Sequence, residues 1–535
     1  MSKTSHSLLA LLAIFVVAVV LRVWGMDYGL PHPLTRPDEE HLVGRAYHIL
    51  ATGNPHPGGF DWPSFLRYLD TLVLGMYYLV GKALGHYERL WDFLFDAVVL
   101  RPGLPYRICR GVSVFFGVVT VGMTYLLSLR AYGSRAAALL AAAALATCHL
   151  HVRNSHFALL EVPMTFFIIL SLLFALRAAD KPSFANFLFS GVFAGLATST
   201  KYNAGLVVLS LVVAGWISFR SPKGGITLRD LVGRLLVAGL GMTLVFALTS
   251  PYVVLRQAAV VRDLGNLISL HYQPESEWAL WTHLRVTLPG GLGWSFLGVA
   301  LAGLLRALWL RRTADWVLLA FFLPYFVFIS GLSSAFPRYL VPLTPLFAVF
   351  GADLINVFPR ESMRTRAIVF AVVLVAVCGP SLWSSIQFDR LASVKDTRLQ
   401  AAEWIAQNVA PQTEILLCRG YGAPHVNKDR RRPPAFRPTI INCFTGRPKP
   451  AATPYLITHE HPSLSNYSRI SDEVRTWLGE QGEQLAVFSP FENSEPPAAI
   501  FHQSDAFYLP FSGFAGVERG GPIVRIWKLR DGSSS

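Results

Sequence analysis

The sequence predicts a polytopic α-helical membrane protein with interfacial helices in its first outer loop and a C-terminal α/β extracytoplasmic domain. Two observations predict it. Of 535 residues, 53% are hydrophobic and only 15% charged, at a mean hydropathy of +0.42, whereas soluble domains carry about 25% charged residues. Apolar stretches long enough to cross a bilayer, about 20 residues each, recur as far as residue 386 and then stop. The net charge of +14 requires no nucleic-acid partner, because Lys and Arg collect in cytoplasmic loops and beside anionic headgroups. No Gly-rich phosphate loop, zinc-finger spacing or RNA-binding signature is present.

The first apolar segment, 8–24, follows Lys3 and lacks a small-residue cleavage site, which predicts an uncleaved signal-anchor helix. A long stretch from Met26 to Arg107 comes next. It holds Thr35-Arg36-Pro37-Asp38-Glu39-Glu40-His41, then Asp61-Trp62-Pro63-Ser64 and an apolar helix from Phe65 to Leu84. Further segments lie near 108–129, 135–150, 157–176, 184–199, 201–219, 235–254, 292–310, 315–333, 338–356 and 367–386.

Whether 65–84 spans decides the orientation of everything after it. If it lies in the interface, the connections at Arg130 to Arg135, Arg177 with Lys181, Arg220 to Arg234, Arg306 to Arg312 and Arg360 to Arg366 all face the cytoplasm. The positive-inside rule favours that arrangement, which gives about eleven spanning helices. Residues 1–388 then form the membrane domain, with 25–107 as an extracytoplasmic loop, and 389–535 form a soluble extracytoplasmic domain. The acidic stretch at Asp38, the run from His149 to His156 leading into Glu161, the turn at Lys201 and the turn at Arg338 all fall on the outer side.

In the tail, Asp396 or Thr397 caps a predicted amphipathic helix through Val409. Short apolar runs at Glu414–Cys418, Tyr455–Thr458, Leu485–Phe488 and Pro522–Leu529 read as strands, and Lys428 to Arg432 as a solvated loop. Cys109, Cys148 and Cys378 read as small core residues. Cys418 and Cys443 lie where an outward-facing domain can oxidise them to a disulfide.

Several residues carry chemistry beside a plainer reading. Asp38 and Glu39 can deprotonate an attacking hydroxyl or amine and offset positive charge on a reacting sugar; alternatively they belong to a solvated loop. Glu161 begins an apolar helix next to Pro163, at a depth where ionisable groups mark function, or it serves as a helix N-terminal charge. Lys201 interrupts an apolar region and suits a departing phosphate, or it snorkels to the interface; Arg338 has the same two readings. His149, His151 and His156 with Glu161 are a candidate divalent-metal set whose spacing matches no closed zinc pattern, so no metal is assigned. His459-Glu460-His461 is not a zincin motif. A transporter or lipid flippase would show paired repeats with broken helices, which the sequence lacks. A non-catalytic membrane scaffold would not depend on Asp38.

Together these residues resemble the GT-C glycosyltransferases, especially family 39, which contains the protein O-mannosyltransferases and aminoarabinose transferases. Asp38-Glu39 after the first helix is similar to that family's acidic catalytic motif, in which the aspartate is the proposed base. Asp61-Trp62-Pro63-Ser64-Phe65 is similar to the motif opening an interfacial helix. Glu161-Val162-Pro163-Met164-Thr165-Phe166-Phe167 looks like another family segment, with Glu161 in place of the usual aspartate. Gly195 to Asn203 and Pro337 to Pro342 also look like family segments. The resemblance implies an inverting transferase moving sugar from a polyprenyl-phosphate donor to a protein, lipid A or cell-wall glycan acceptor, at a bacterial plasma membrane. It implies Asp38, Glu39 and Glu161 as catalytic residues, Lys201, Tyr202 and Arg338 as phosphate-binding, and His41 and His156 as supporting groups. The Trp-Trp-Asp motif of oligosaccharyltransferases is absent, which points to transfer of a single sugar.

Overall fold

The computed structural model describes residues 3–221, 225–272, 278–358, 363–427, 435–444, 455–492, 498–503, 505 and 507–530. The expected solvated loop at Lys428 to Arg432 lies outside them, as does Arg360 of one basic connection. Two compact units emerge. The first comprises Met1–Val23, Leu42–Leu74 and Cys109–Ile386; the second comprises Trp24–His41, Gly75–Ile108 and Gln387–Ser535.

Seven helices among the described residues are long and apolar enough to cross a membrane, or up to nine if each of two bent pairs is one span. The expectation of about eleven spans is corrected accordingly. The two remaining apolar segments, Ser7–Val23 and Phe184–Thr200, are shorter helices. Phe184–Thr200 ends where Lys201 adopts extended backbone. Phe65–Ala83 is not among the candidate spans, since Arg67, Asp70 and Lys82 interrupt its apolar residues.

Within the first unit, helix Phe184–Thr200 packs closely on helix Leu228–Thr249. A Cβ at Gly195 would lie 2.6 Å from the Met242 carbonyl oxygen, and one at Gly191 would collide with that of Ala238. Small residues four apart permit such close backbone approach, which drives helix association where lipid offers no hydrophobic gain.

One bent pair, Arg135–Thr147 and His149–Ser155, turns by 55°. The break strips backbone groups of their helical partners, and at membrane depth each must find another. The buried Arg22 guanidinium donates to the carbonyls of Ala146 (3.0 Å) and Leu145 (3.2 Å) and lies 3.0 Å from His151 Nδ1. Ser385 Oγ donates to the Thr147 carbonyl at 3.1 Å, and Ser381 Oγ accepts from His149 N–H at 2.8 Å.

The second unit is built on a mixed five-stranded sheet: β1 (Glu414–Cys418), β2 (Arg437–Ile441), β3 (Tyr455–Glu460), β4 (Gly482–Phe488) and β5 (Ile523–Leu529), in the order β2-β1-β3-β5-β4. β1 runs parallel to β2 and β3, and β5 antiparallel to β3 and β4. Alternation along β1 splits its side chains between two cores. Ile415 and Leu417 pack with Ala401 and Ile405 of helix Thr397–Asn408, while Leu416 and Cys418 pack with Val474, Trp477 and Leu478 of helix Asp472–Gln481. Asp396 caps the first of these helices, accepting from Arg398 N–H. Cys418 and Cys443 are joined in a disulfide, with Cα atoms 5.4 Å apart.

Candidate functional site

In the first unit, three of the expected residues meet. Glu161 opens helix Glu161–Asp180 and is buried. Lys201 Nζ donates to its Oε1 at 2.7 Å, and Arg338 Nε lies 3.6 Å from the same oxygen. Lys201 also sits 4.3 Å above the Tyr339 ring. Both cations are delivered by 3₁₀ turns, Tyr202–Val207 just after Lys201 and Pro337–Leu343 around Arg338. Such tighter turns at helix ends redirect the chain. The cluster carries two cations against one carboxylate, a surplus of one positive charge.

Tyr202 turns elsewhere: its hydroxyl donates to the Phe60 carbonyl at 3.2 Å. That contact fixes the Asp61-Trp62-Pro63-Ser64 segment, where Ser64 N–H also donates to Ser250 Oγ at 2.9 Å. His156 is buried, with Nδ1 2.8 Å from the Val152 carbonyl four residues back. Among the described residues no three of His, Cys, Asp and Glu converge as metal ligands, so His149, His151, His156 and Glu161 do not form a set.

Asp38, Glu39 and His41 belong to the second unit. Asp38 has φ +76°, a left-handed conformation rare outside glycine. It immediately precedes helix Glu39–Thr52, whose first turn holds Glu39 and Glu40. Glu39 is buried, and His41 is exposed with Nε2 3.8 Å from Glu40 Oε1.

The segment leading to Asp38 is held by side chains of the tail. Arg36 forms a buried ion pair with Asp505 at 3.0 Å and lies over the Phe507 ring at 4.6 Å. The Tyr28 hydroxyl is 3.0 Å from both Asp396 Oδ2 and the Phe507 carbonyl. Arg398 is forked onto Asp396 at 2.8 and 2.7 Å and donates to the carbonyls of Leu34 and Tyr421. His32 Nε2 lies 2.8 Å from the Ala423 carbonyl; burial lowers this imidazole to a pKa of about 3, so it is neutral and donates.

Two groups outside the sequence expectation join the acidic stretch. Tyr421 donates its hydroxyl to Glu40 Oε1 at 3.3 Å. Burial raises the Glu40 pKa above the ordinary carboxyl range, and Asp38 pushes in the same direction. Burial, followed by the charges of Glu40 and Asp38, lifts the Tyr421 phenol to about 12. The only local signal for Tyr421 is its setting in Arg419-Gly420-Tyr421-Gly422 directly after a strand.

Residues 64–259 match the family model described as dolichyl-phosphate-mannose-protein mannosyltransferase. Residues 64–259, a little over a third of the chain, are thus similar to that family. The chain is an integral membrane protein with multiple spans, and its fold is shared with solved structures. ArnT from Cupriavidus metallidurans bound to undecaprenyl phosphate is 16% identical, with a TM-score of 0.54 over 98% of each chain. The apo oligosaccharyltransferase of Archaeoglobus fulgidus is 13% identical, with a TM-score of 0.51 over 78% of this chain and 63% of that one. An uncharacterized protein of Aquifex aeolicus (strain VF5) is 26% identical over 281 residues, or 51% of this chain. The chain spans about half (54%) of that curated relative's length.

Proposed function

We propose that the chain is an inverting glycosyltransferase that moves a single sugar from a polyprenyl phosphate to an extracytoplasmic acceptor (protein, lipid A or cell-wall glycan). The acceptor oxygen or nitrogen attacks the anomeric carbon while the carbon–oxygen bond to phosphate breaks. The acceptor's proton passes to Asp38, and the electron pair leaves with polyprenyl phosphate. One displacement inverts the anomeric centre. Lys201 and Arg338 hold the donor phosphate and stabilise the charge that builds on it, and Glu161 orients both cations. Glu39 sustains negative charge near the oxocarbenium-like sugar, and Tyr202, His41 and His156 support these groups. The loop at 25–107 carries the base, with the reaction and the domain at 389–535 on the outer side of a bacterial plasma membrane.

The observation that carries this reading is the backbone of Asp38. A non-glycine residue in the left-handed region costs on the order of 1 kcal/mol and persists where its surroundings over-determine it, commonly at functional sites. A solvated loop would relax, yet this one follows a buried Arg36–Asp505 pair. The match of residues 64–259 to the family model and the undecaprenyl phosphate named with the ArnT structure support a polyprenyl-phosphate donor.

The test offers purified protein in lipid a panel of polyprenyl-phosphate monosaccharides and follows release of free polyprenyl phosphate. Slow acceptor-independent hydrolysis of one donor, lost in Asp38→Asn, is the expected result. Hydrolysis that survives the substitution would remove Asp38 as base. No binding of any donor would remove the transferase reading itself.

A further inference from the structure

The second unit contains a cavity of about 450 Å³ at the carboxyl end of β1, lined among others by His32, Leu34, Arg419, Tyr421, His425 and Ile440. Its volume lies within the range of about 300–1,000 Å³ typical of small-molecule sites. β1 has β2 on one side and β3 on the other, and ligands of open α/β sheets collect where strands end and connections diverge. Tyr421 is shared between this cavity and the acidic stretch, since its hydroxyl donates to Glu40.

We propose that this cavity binds the acceptor, and that the acceptor is the uncharged end of a saccharide whose hydroxyl is presented towards Glu40 and Asp38. This rests on the transferase reading and narrows its three acceptor classes to a glycan. Among the described residues the lining itself contains no carboxylate to attract a basic peptide. Among the described residues of the lining, Arg419 is the one arginine or lysine, and it is solvent-exposed, a poor match for a multiply phosphorylated lipid headgroup. Of the polar groups in the lining, His32 is held uncharged and Tyr421 stays a phenol. Neutral donors and acceptors beside aromatic and aliphatic faces suit the alternating hydroxyl and C–H surfaces of a sugar ring.

The cavity is rigid where it needs to be. The Cys418–Cys443 disulfide ties the end of β1 to the chain just beyond β2. Beneath the turn, His459 Nε2 lies 3.2 Å from the carbonyls of both Cys418 and Arg419, and Nδ1 lies 2.9 Å from Ser468 Oγ.

The experiment uses the full chain in lipid nanodiscs and measures saturation-transfer NMR binding of uncharged gluco-, galacto- and manno-configured disaccharides. A disaccharide phosphate and a serine-containing hexapeptide serve as competitors. At least one uncharged disaccharide should bind saturably. Its affinity should fall at least tenfold in Ile440→Trp, which places a large ring on a residue 62% exposed, and in Arg419→Met, while Ile440→Val retains it. Thermal unfolding checks that each variant is folded. The proposal is overturned by absence of disaccharide binding, by binding indifferent to both Ile440→Trp and Arg419→Met, or by displacement by peptide or phosphate in preference to sugar. Donor hydrolysis by the wild-type chain is measured in parallel. Hydrolysis without disaccharide binding overturns the acceptor site alone. Disaccharide binding without donor binding or hydrolysis overturns the transferase reading and leaves the cavity a saccharide site.

Discussion

Glu161 and Glu40 both stand in the first turn of a helix and both are largely withdrawn from water, but their neighbours differ in charge. Glu161 faces the side chains of Lys201 and Arg338 within 4 Å. Glu40 faces a neutral phenol and an exposed imidazole, with Asp38 adding negative charge. A carboxylate between cations orients them. One that is buried beside another carboxylate holds a proton more readily. The first environment suits anion binding and the second suits proton transfer, the two tasks that the proposed sugar transfer would require.

The largest effect should come from the proton-transfer side. Asp38→Asn is expected to lower turnover by about 10²- to 10⁴-fold, the range for loss of a general base, with the unfolding temperature nearly unchanged. A drop in stability of similar severity would instead make Asp38 structural and collapse the contrast.

On the anion-binding side, Glu161→Gln leaves Lys201 and Arg338 facing each other without their carboxylate. Breaking a buried pair on one side costs about 3–5 kcal/mol, read as a lowered chemical-unfolding midpoint in detergent. Adding Lys201→Met to that variant should recover part of the loss. Strict additivity of the two substitutions would show that the pair is not coupled.

Replacing Cys418 with Ser opens the link between β1 and the chain after β2. Closure of a loop of this length (25 residues in sequence separation) contributes about 3.5 kcal/mol. The loss should appear in unfolding of the second unit, and a matching loss in wild-type protein under reductant would attribute it to the bond.

The smallest effect is a pH dependence. Because burial raises the folded-state pKa of Glu40 above its unfolded value, its stabilising contribution is present at low pH and is lost as pH rises through the folded pKa. Wild-type stability should therefore decline relative to Glu40→Gln as pH climbs from the ordinary carboxyl range, measured as the difference in unfolding temperature. A pH-independent difference would mean that Glu40 titrates normally. Tyr421→Phe removes a hydrogen bond to the charged form and should extend that window upward.

Local sequence carried much of this fold because its signals span only a few residues. The eleven apolar segments reappear as seven full spans, two bent pairs and two shorter helices. Four of the five strands, and the helix capped by Asp396, follow from short apolar runs and cap chemistry. β2 was illegible because Arg437-Pro438-Thr439-Ile440-Ile441 is largely exposed edge strand with no buried run. Helix Asp472–Gln481 is mostly polar, burying only Val474, Trp477 and Leu478.

Residue type and position singled out Glu161, Lys201 and Arg338, since charges in apolar surroundings are costly and therefore informative; Asp38 stood out by the run of carboxylates just after the first apolar segment. Only the tertiary structure decided that Lys201 and Arg338 share one oxygen of Glu161. It likewise decided that Tyr202 ties down Phe60, and that Tyr421, 381 residues along the chain, reaches Glu40. Sequence periodicity reports which way a residue faces within its own helix or strand. Which distant side chain it then meets depends on how those elements pack.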